Sequence, residues 1–424
     1  MFKDAHDLEV TCASDAAMQA YLSGIECSLR FDGPAVDEFA EAVSLDEEFA
    51  LAHAALGRQL FIHGRGEECS AHLDAALSLK ESVTQREQDA IGVIERAARF
   101  DPQAMALAYA HVATYPQDIY VLAHLLGPFG MLAFSGITDF CARNIALLEE
   151  TRSSYPVDSW WHAANRGFFA AEQGNLSLAR KECELAWSLS ENGNSAHAMA
   201  HMHFEADALD EGREFIADWA SKYGSQSDMR HHLMWHTSLI DMESGADIEQ
   251  IATLYDRELD PNVNDPTPLE TLCDNASFLW RCLLAGKKMP AAVSEELLAY
   301  AETHFSHIGF AFADVHRAMA TALHPDKNKH SEFVSALADV SRRSGTRVAE
   351  CVCLFAEAFG AFVNESYDEV VAILEPIATD SVLIGGSNPQ RRIIEETLVE
   401  ACKRSGQTDK AADILRSRNN SAHT

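Results

Sequence analysis

Apolar residues recur at three- and four-residue intervals along most of the chain, in stretches long enough for three or four helical turns. The stretches come in pairs separated by short polar turns. The clearest pair runs from Ser159 to Leu189, SWWHAANRGFFAAEQGNLSLARKECELAWSL, with a turn at Gly174 and Asn175 and small residues Gly167, Ala179 and Ala186 where two helices would approach most closely. His53 to Leu79 repeats the arrangement with Gly57, Cys69, Leu73 and Ala76, and a third pair places Ala200 and Gly212 at the corresponding positions. No segment of any length alternates with the period of a strand. The pattern predicts an all-α chain of about 18 to 22 helices stacked in antiparallel pairs.

A period of about 34 residues with small residues at these three places is the tetratricopeptide pattern, so the expected architecture is a tetratricopeptide-like helical-repeat superhelix, an α-solenoid. Weaker matches follow at GAFVNESYDEVVAILEPI from Gly360 and RSGQTDKAADIL around Gly406, and DPNVNDPTP from Asp260 to Pro268 interrupts the array as a proline-rich loop. Residues 1–80 read as an N-terminal helical cap or first repeat. Residues 81–424 read as the tetratricopeptide-like superhelix, continuous with the cap. TQREQDA places Thr84 at a helix start with Glu87 three residues on, a capping box, which leaves Arg86 for surface or site.

Charge narrows the function. The 424 residues carry 65 acidic against 33 basic side chains, a formal charge of −32, and no basic cluster offsets that field, so nucleic acid and anionic membrane surfaces are excluded as partners. The ten cysteines make no CxxC spacing and read as small core residues of a reducing compartment. The opening MFKDAHDLEV lacks a signal-peptide pattern, and the most apolar stretch, Val121 to Ile137, is broken by His124, Gly127, Pro128 and Gly130. A cytoplasmic location is expected.

The residues that carry candidate chemistry are two histidine pairs at one-turn spacing, His197/His201 in HAMAHMHFE and His232/His236 in HHLMWH. Side chains four apart share a helix face about 5 to 6 Å from one another, so each pair presents two imidazoles to one point, with Glu205 a turn further on. First helices of such repeats line the concave face, where a pocket would form. Three readings compete: metal ligation by the four histidines; proton transfer by a histidine whose tautomer is fixed by Glu205, Asp274 or Asp314; and a structural role, as buried polar groups satisfied by neighbouring helices with Trp235, Trp280 and Met202 packed around them. The chain has no HExxH, no nearby cysteine and no aspartate-rich loop. No cofactor is therefore expected, with a histidine-bound metal as the alternative. Asp314 and His316, two apart, face different sides of a helix and cannot pair with each other. His203 and His231 fall off the two stripes and read as surface or flanking residues.

Further ligand-binding candidates are Trp235 and Trp280 beside the histidines, His316, and Arg281, which with Asp274 in DNASFLWR forms either a ligand clamp or an inter-helix salt bridge. IGGSNPQR from Ile384 combines two glycines, a cap at Ser387 or Asn388 and Pro389 inside a helix start. It offers either a plain cap or an anion site assisted by Gln390 and Arg391. Trp160 and Trp161 read as core residues of the best repeat.

In order along residues 80 to 418, TQREQDA, FFAAEQGN, HAMAH followed by Glu211–Gly212, HHLMWHTSL, YDREL, DNASFLWR, FADVHRAMA and IGGSNPQR together resemble the tetratricopeptide repeat protein 38 family. The chain differs from that family at Asn388 and Pro389, where histidine and alanine are usual, and at Arg392, where an acidic residue is usual. The resemblance implies an all-helical fold with an unusually polar interior and brings no established reaction. Taken together, these features predict a small molecule bound in a histidine-lined pocket, with hydrolase- or lyase-like proton transfer if the protein is an enzyme. The alternatives are a scaffold that binds a protein partner or another copy of itself, and a metal-dependent enzyme with histidine ligands.

Overall fold

The computed structural model describes residues 2–224, 227–260, 266–287 and 290–421, so the middle of the proline-rich segment, 261–265, lies outside the described residues. These residues form two compact units, one from Met1–Leu132 and Cys141–Leu233, the other from Ala133–Phe140 and Met234–Thr424. Both are helical. The described strands are two-residue segments, Phe2–Lys3 and Glu9–Val10, paired antiparallel.

In the first unit the helices are α1 Asp15–Arg30, α2 Ala35–Leu45, α3 Ala50–Ile62, α4 Gly66–Leu79, α5 Gln85–Ala98, α6 Ala104–Thr114, α7 Ile119–Leu125, α8 Phe140–Thr151, α9 Trp160–Glu172, α10 Leu176–Leu189, α11 Gly193–Glu205 and α12 Leu209–Lys222. α13, Arg230–Glu243, and α14, Ile248–Leu254, follow, the latter running into a π turn at Tyr255–Leu259. The second unit continues with α15 Pro268–Leu284, α16 Ala291–His304, α17 Ala311–Leu323, α18 Lys327–Ser344, α19 Arg347–Val363, α20 Tyr367–Leu374, α21 Asn388–Arg404 and α22 Thr408–Ser421. Successive helices pack as hairpins, α3 on α4, α9 on α10, α11 on α12, α17 on α18, and the first helices of neighbouring hairpins pack on each other, α3 on α5 and α9 on α11.

The small residues read from the sequence sit at the crossings. A Cβ on Gly57 would lie 2.9 Å from Leu73 and 3.3 Å from the carbonyl of Cys69. One on Gly167 would lie 2.5 Å from Cys183 Sγ and 2.9 Å from the Cys183 backbone nitrogen, and Ala179 and Ala186 are fully buried beneath α9. Backbone cannot yield as a flexible side chain does, so Gly167→Ala is expected to destabilise by about 1–3 kcal/mol. Gly66→Ala, where a Cβ meets nothing within 4 Å, should leave stability unchanged or slightly raised. Urea midpoints of the two variants compare them directly; equal midpoints would refute the close-packing assignment.

Thr84 and Glu87 form the expected capping box at α5, and Glu87 also accepts from the backbone and hydroxyl of Thr11 at 2.7 and 2.8 Å. Arg86 is buried. Its guanidinium pairs with Asp118 at 2.8 Å and donates to the Glu9 carbonyl, while His111 Nε2 lies 3.0 Å from the same Asp118 oxygen. Burial would push the Asp118 carboxyl up, but His111 and Arg86 together hold it below the usual range.

The first unit also joins its ends. Asn194 donates to the Leu29 carbonyl at 2.9 Å, Gly193 N–H to Asp32 at 2.9 Å, and Asp228 N–H to the Phe31 carbonyl at 3.0 Å. A side chain on Gly193 would strike Ser227 Oγ at 2.5 Å, so this contact requires glycine.

Among the described residues no helix is long and apolar enough to cross a membrane, and all ten cysteines are free thiols.

Candidate functional site

His197 and His201 lie one turn apart on α11, and His232 and His236 one turn apart on α13. The geometry follows from helical spacing: each pair projects from one face, and one ring nitrogen from each of the four lies within 4.8 Å of the others. All four are 0–2% exposed. The His197 ring stacks between Phe129 and Phe168 at 5.8 and 5.3 Å, meets His201 edge-on at 4.6 Å and His232 at 5.1 Å. Burial, and then the neighbouring imidazoles His201 and His232, hold His197 well below the ordinary histidine range, which favours the neutral ring.

The carboxylate at this cluster is Glu172. Its Oε1 lies 3.2 Å from His201 Nδ1, with both side chains out of contact with solvent. Glu172 ends α9 one turn after Phe168, whose ring packs edge-on against His201 at 4.6 Å. Glu205, the carboxylate expected from the stripe on α11, is half-buried on the last turn of that helix and is not part of the four-histidine group. The signal for Glu172 was present in FFAAEQGN: an acidic side chain in the last turn of an otherwise apolar helix, on the stripe that faces the next repeat.

His203 and His231 correct the expectation of surface positions, since both are buried. α11 is buried from Gly193 to Phe204 and α13 from His231 to His236, so these helices have neighbours on every side and a residue off one stripe falls on another packed face. Trp161 is core as expected, while Trp160 is half-buried.

The other candidates lie in the second unit. Arg281 makes the inter-helix bridge: Nε meets Glu396 of α21 at 2.9 Å, Nη2 donates to the Pro389 carbonyl at 2.7 Å, and the guanidinium lies 5.8 Å over the Trp235 ring. Trp280 is core, donating through Nε1 to Thr397 at 2.9 Å. Asp314 and His316 have separate partners as expected. Asp314 accepts from Gly309 N–H at 2.9 Å and is raised to about 6 by burial, against that hydrogen bond and Arg317. His316 Nδ1 donates to the Phe312 carbonyl at 2.7 Å, and burial lowers the ring to about 4; the charges of Asp274, itself buried, and of Arg281 act on it more weakly and in opposite senses. Gln390 Oε1 accepts from Ser387 N–H at 2.9 Å, and Arg391 donates to the Gly386 carbonyl and to Asn388 Oδ1. This helix start is capped by its own side chains, the plain-cap alternative.

Fold and site together define a tetratricopeptide-like helical-repeat protein with a buried four-histidine group. No family model matches the chain. Among solved structures it is similar to the human IFIT1 dimer with m7Gppp-AAAA, at 13% identity over 98% of this chain and 97% of that one, with a TM-score of 0.43. It is also similar to yeast Tom70, at 13% identity over 95% and 98% with a TM-score of 0.30, and to the P58(IPK) TPR domain, at 13% over 93% and 99% with a TM-score of 0.21.

Proposed function

We propose that this chain binds one divalent transition-metal ion through His197, His201, His232 and His236, and that it is a member of the tetratricopeptide repeat protein 38 family, as its ordered motifs suggest. The observation that carries the metal reading is the convergence of four buried imidazole nitrogens within 4.8 Å. Tetrahedral zinc with Zn–N bonds of about 2.0–2.1 Å needs nitrogens roughly 3.3 Å apart, so the widest pair closes by about 1.5 Å, within reach of small ring rotations. An all-imidazole set suits zinc, copper or nickel rather than magnesium or calcium. Metal ligation requires neutral rings, which burial favours at His197. Glu172 completes the arrangement. Its Oε1 lies 3.2 Å from His201 Nδ1, so a small rotation of the carboxylate would let it accept from Nδ1–H, which would fix the His201 tautomer and leave Nε2 as the ligand atom.

Native protein analysed for elements is expected to carry about one such ion per chain. His201→Ala with His236→Ala should lose it, and Glu172→Ala should weaken it by about 10–100-fold. A chain that emerges metal-free and takes up none of zinc, copper or nickel under titration would sink the proposal.

The His201–Glu172 pair also supports a second reading, proton-transfer catalysis on a small molecule, because a carboxylate-oriented imidazole is a competent general base. The two readings separate under chelation: proton transfer by the pair persists in metal-stripped protein, and metal-dependent behaviour does not.

A further inference from the structure

A second pair of imidazoles, distinct from the four histidines, lies in the first unit. His53 projects from α3 and His72 from α4, the two helices of one hairpin. Their Nδ1 atoms lie 2.9 Å apart and their ring centres 5.1 Å apart, with 34° between the ring planes. His53 Nε2 lies 3.1 Å from the Glu47 carbonyl, which can only accept, so that nitrogen carries the ring proton and His53 Nδ1 holds a lone pair. The proton between the two rings then belongs to His72 Nδ1. His53 is buried and His72 half-buried, and burial lowers both from the ordinary histidine value, which favours neutral rings.

A metal ion is the ligand that two facing imidazole nitrogens recognise. With metal–nitrogen bonds of about 2.0–2.1 Å, neighbouring ligands of a square plane lie roughly 2.9 Å apart and those of a tetrahedron roughly 3.3 Å apart. The observed 2.9 Å matches the square plane. The rings now meet across a hydrogen bond, and both lone pairs reach one ion when the ring centres close from 5.1 Å to roughly 4.5 Å, a swing open to the half-buried His72. His72 moves its proton from Nδ1 to Nε2 as the ion enters, so the ring stays neutral. The Glu47 carbonyl holds His53 in the ligating tautomer, the part that an outer hydrogen bond plays at metal sites. Glu68 stands one turn before His72 on α4 and its charge acts on that ring, while Asp46 and Glu47 add a negative field at His53. Glu68 now pairs with Arg65 at 2.6 Å, an exposed bridge that is weakly held.

We propose that His53 Nδ1, His72 Nδ1 and the Glu68 carboxylate form a partly exposed site for copper(II) or nickel(II), with water in the remaining position of the plane. Imidazole nitrogens suit these ions, and the square plane sets them above zinc, which takes a tetrahedron. The site uses no residue of the four-histidine group and stands or falls separately from it.

Copper(II) titration of the full chain, stripped first by a chelator and followed by calorimetry and electron paramagnetic resonance, tests the site. His201→Ala with His236→Ala, which disables the buried group, should still bind one copper(II), and its spectrum should carry the splitting of two nitrogens rather than four. His53→Gln and His72→Gln should each weaken this copper by about tenfold or more, and Glu68→Gln by about threefold or more. Wild type against His72→Gln, a change at a half-buried side chain, reads the same loss without the double variant. Copper binding equal in wild type and His72→Gln, a two-nitrogen signal that survives that substitution, or binding unchanged by Glu68→Gln would overturn the proposal.

Discussion

Acidification from pH 7 to pH 4 is expected to unfold the protein. His124 and His316 are lowered to about 4 and His162 to about 3, each first by burial, while an unfolded chain protonates histidine near 6.5. The folded pKa lies below the unfolded one, so the stability these rings contribute is complete above pH 6.5 and is lost as pH falls from 6.5 toward 4. Each ring contributes about 3 kcal/mol over that interval. Asp314 works in the opposite sense, because its folded value of about 6 lies above the unfolded 3.8 and protonation relieves it. The net loss is on the order of 6 kcal/mol, comparable with the 5–15 kcal/mol that separates most folded proteins from their unfolded states. Urea unfolding at successive pH values measures it. A stability flat between pH 6.5 and 4.5 would mean that these rings are not held neutral.

Asp118→Ala is expected to be the most damaging single substitution outside the histidine cluster. It leaves Arg86 buried without its carboxylate and removes the partner of His111 Nε2, and breaking such a buried pair typically costs about 3–5 kcal/mol. Replacing Arg86 and Asp118 together with methionine and leucine should cost less than Asp118→Ala alone, because no orphaned charge remains. Melting temperatures of the two variants decide it; a double variant as unstable as the single one would point to lost packing instead of lost charge.

The sequence was most informative where a local rule applied. One-turn spacing brought His197 to His201 and His232 to His236, small residues marked the crossings at Gly57 and Gly167, and the box at Thr84 and Glu87 formed as its spacing requires. What escaped was non-local. Glu172 belongs to α9, two helices before the first histidine pair, and only the packing of α9 on α11 brings it to His201. His231 was misplaced because a stripe analysis assumes one wet face, and α13 has none over that stretch.

The hydrogen bonds that tie Leu29, Phe31 and Asp32 to Gly193, Asn194 and Asp228 have a consequence for how the chain is made. In an open array each repeat can settle on its predecessor as it leaves the ribosome, and the ends can fray independently. Here the first helix cannot complete its contacts until some two hundred residues have been synthesised. Its apolar face is covered at once by α2, while the carbonyls of Leu29 and Phe31 stay exposed to water for that time. Once the ends meet, neither terminal repeat is a true end, so fraying is suppressed and this unit melts as a block instead of unravelling from one side.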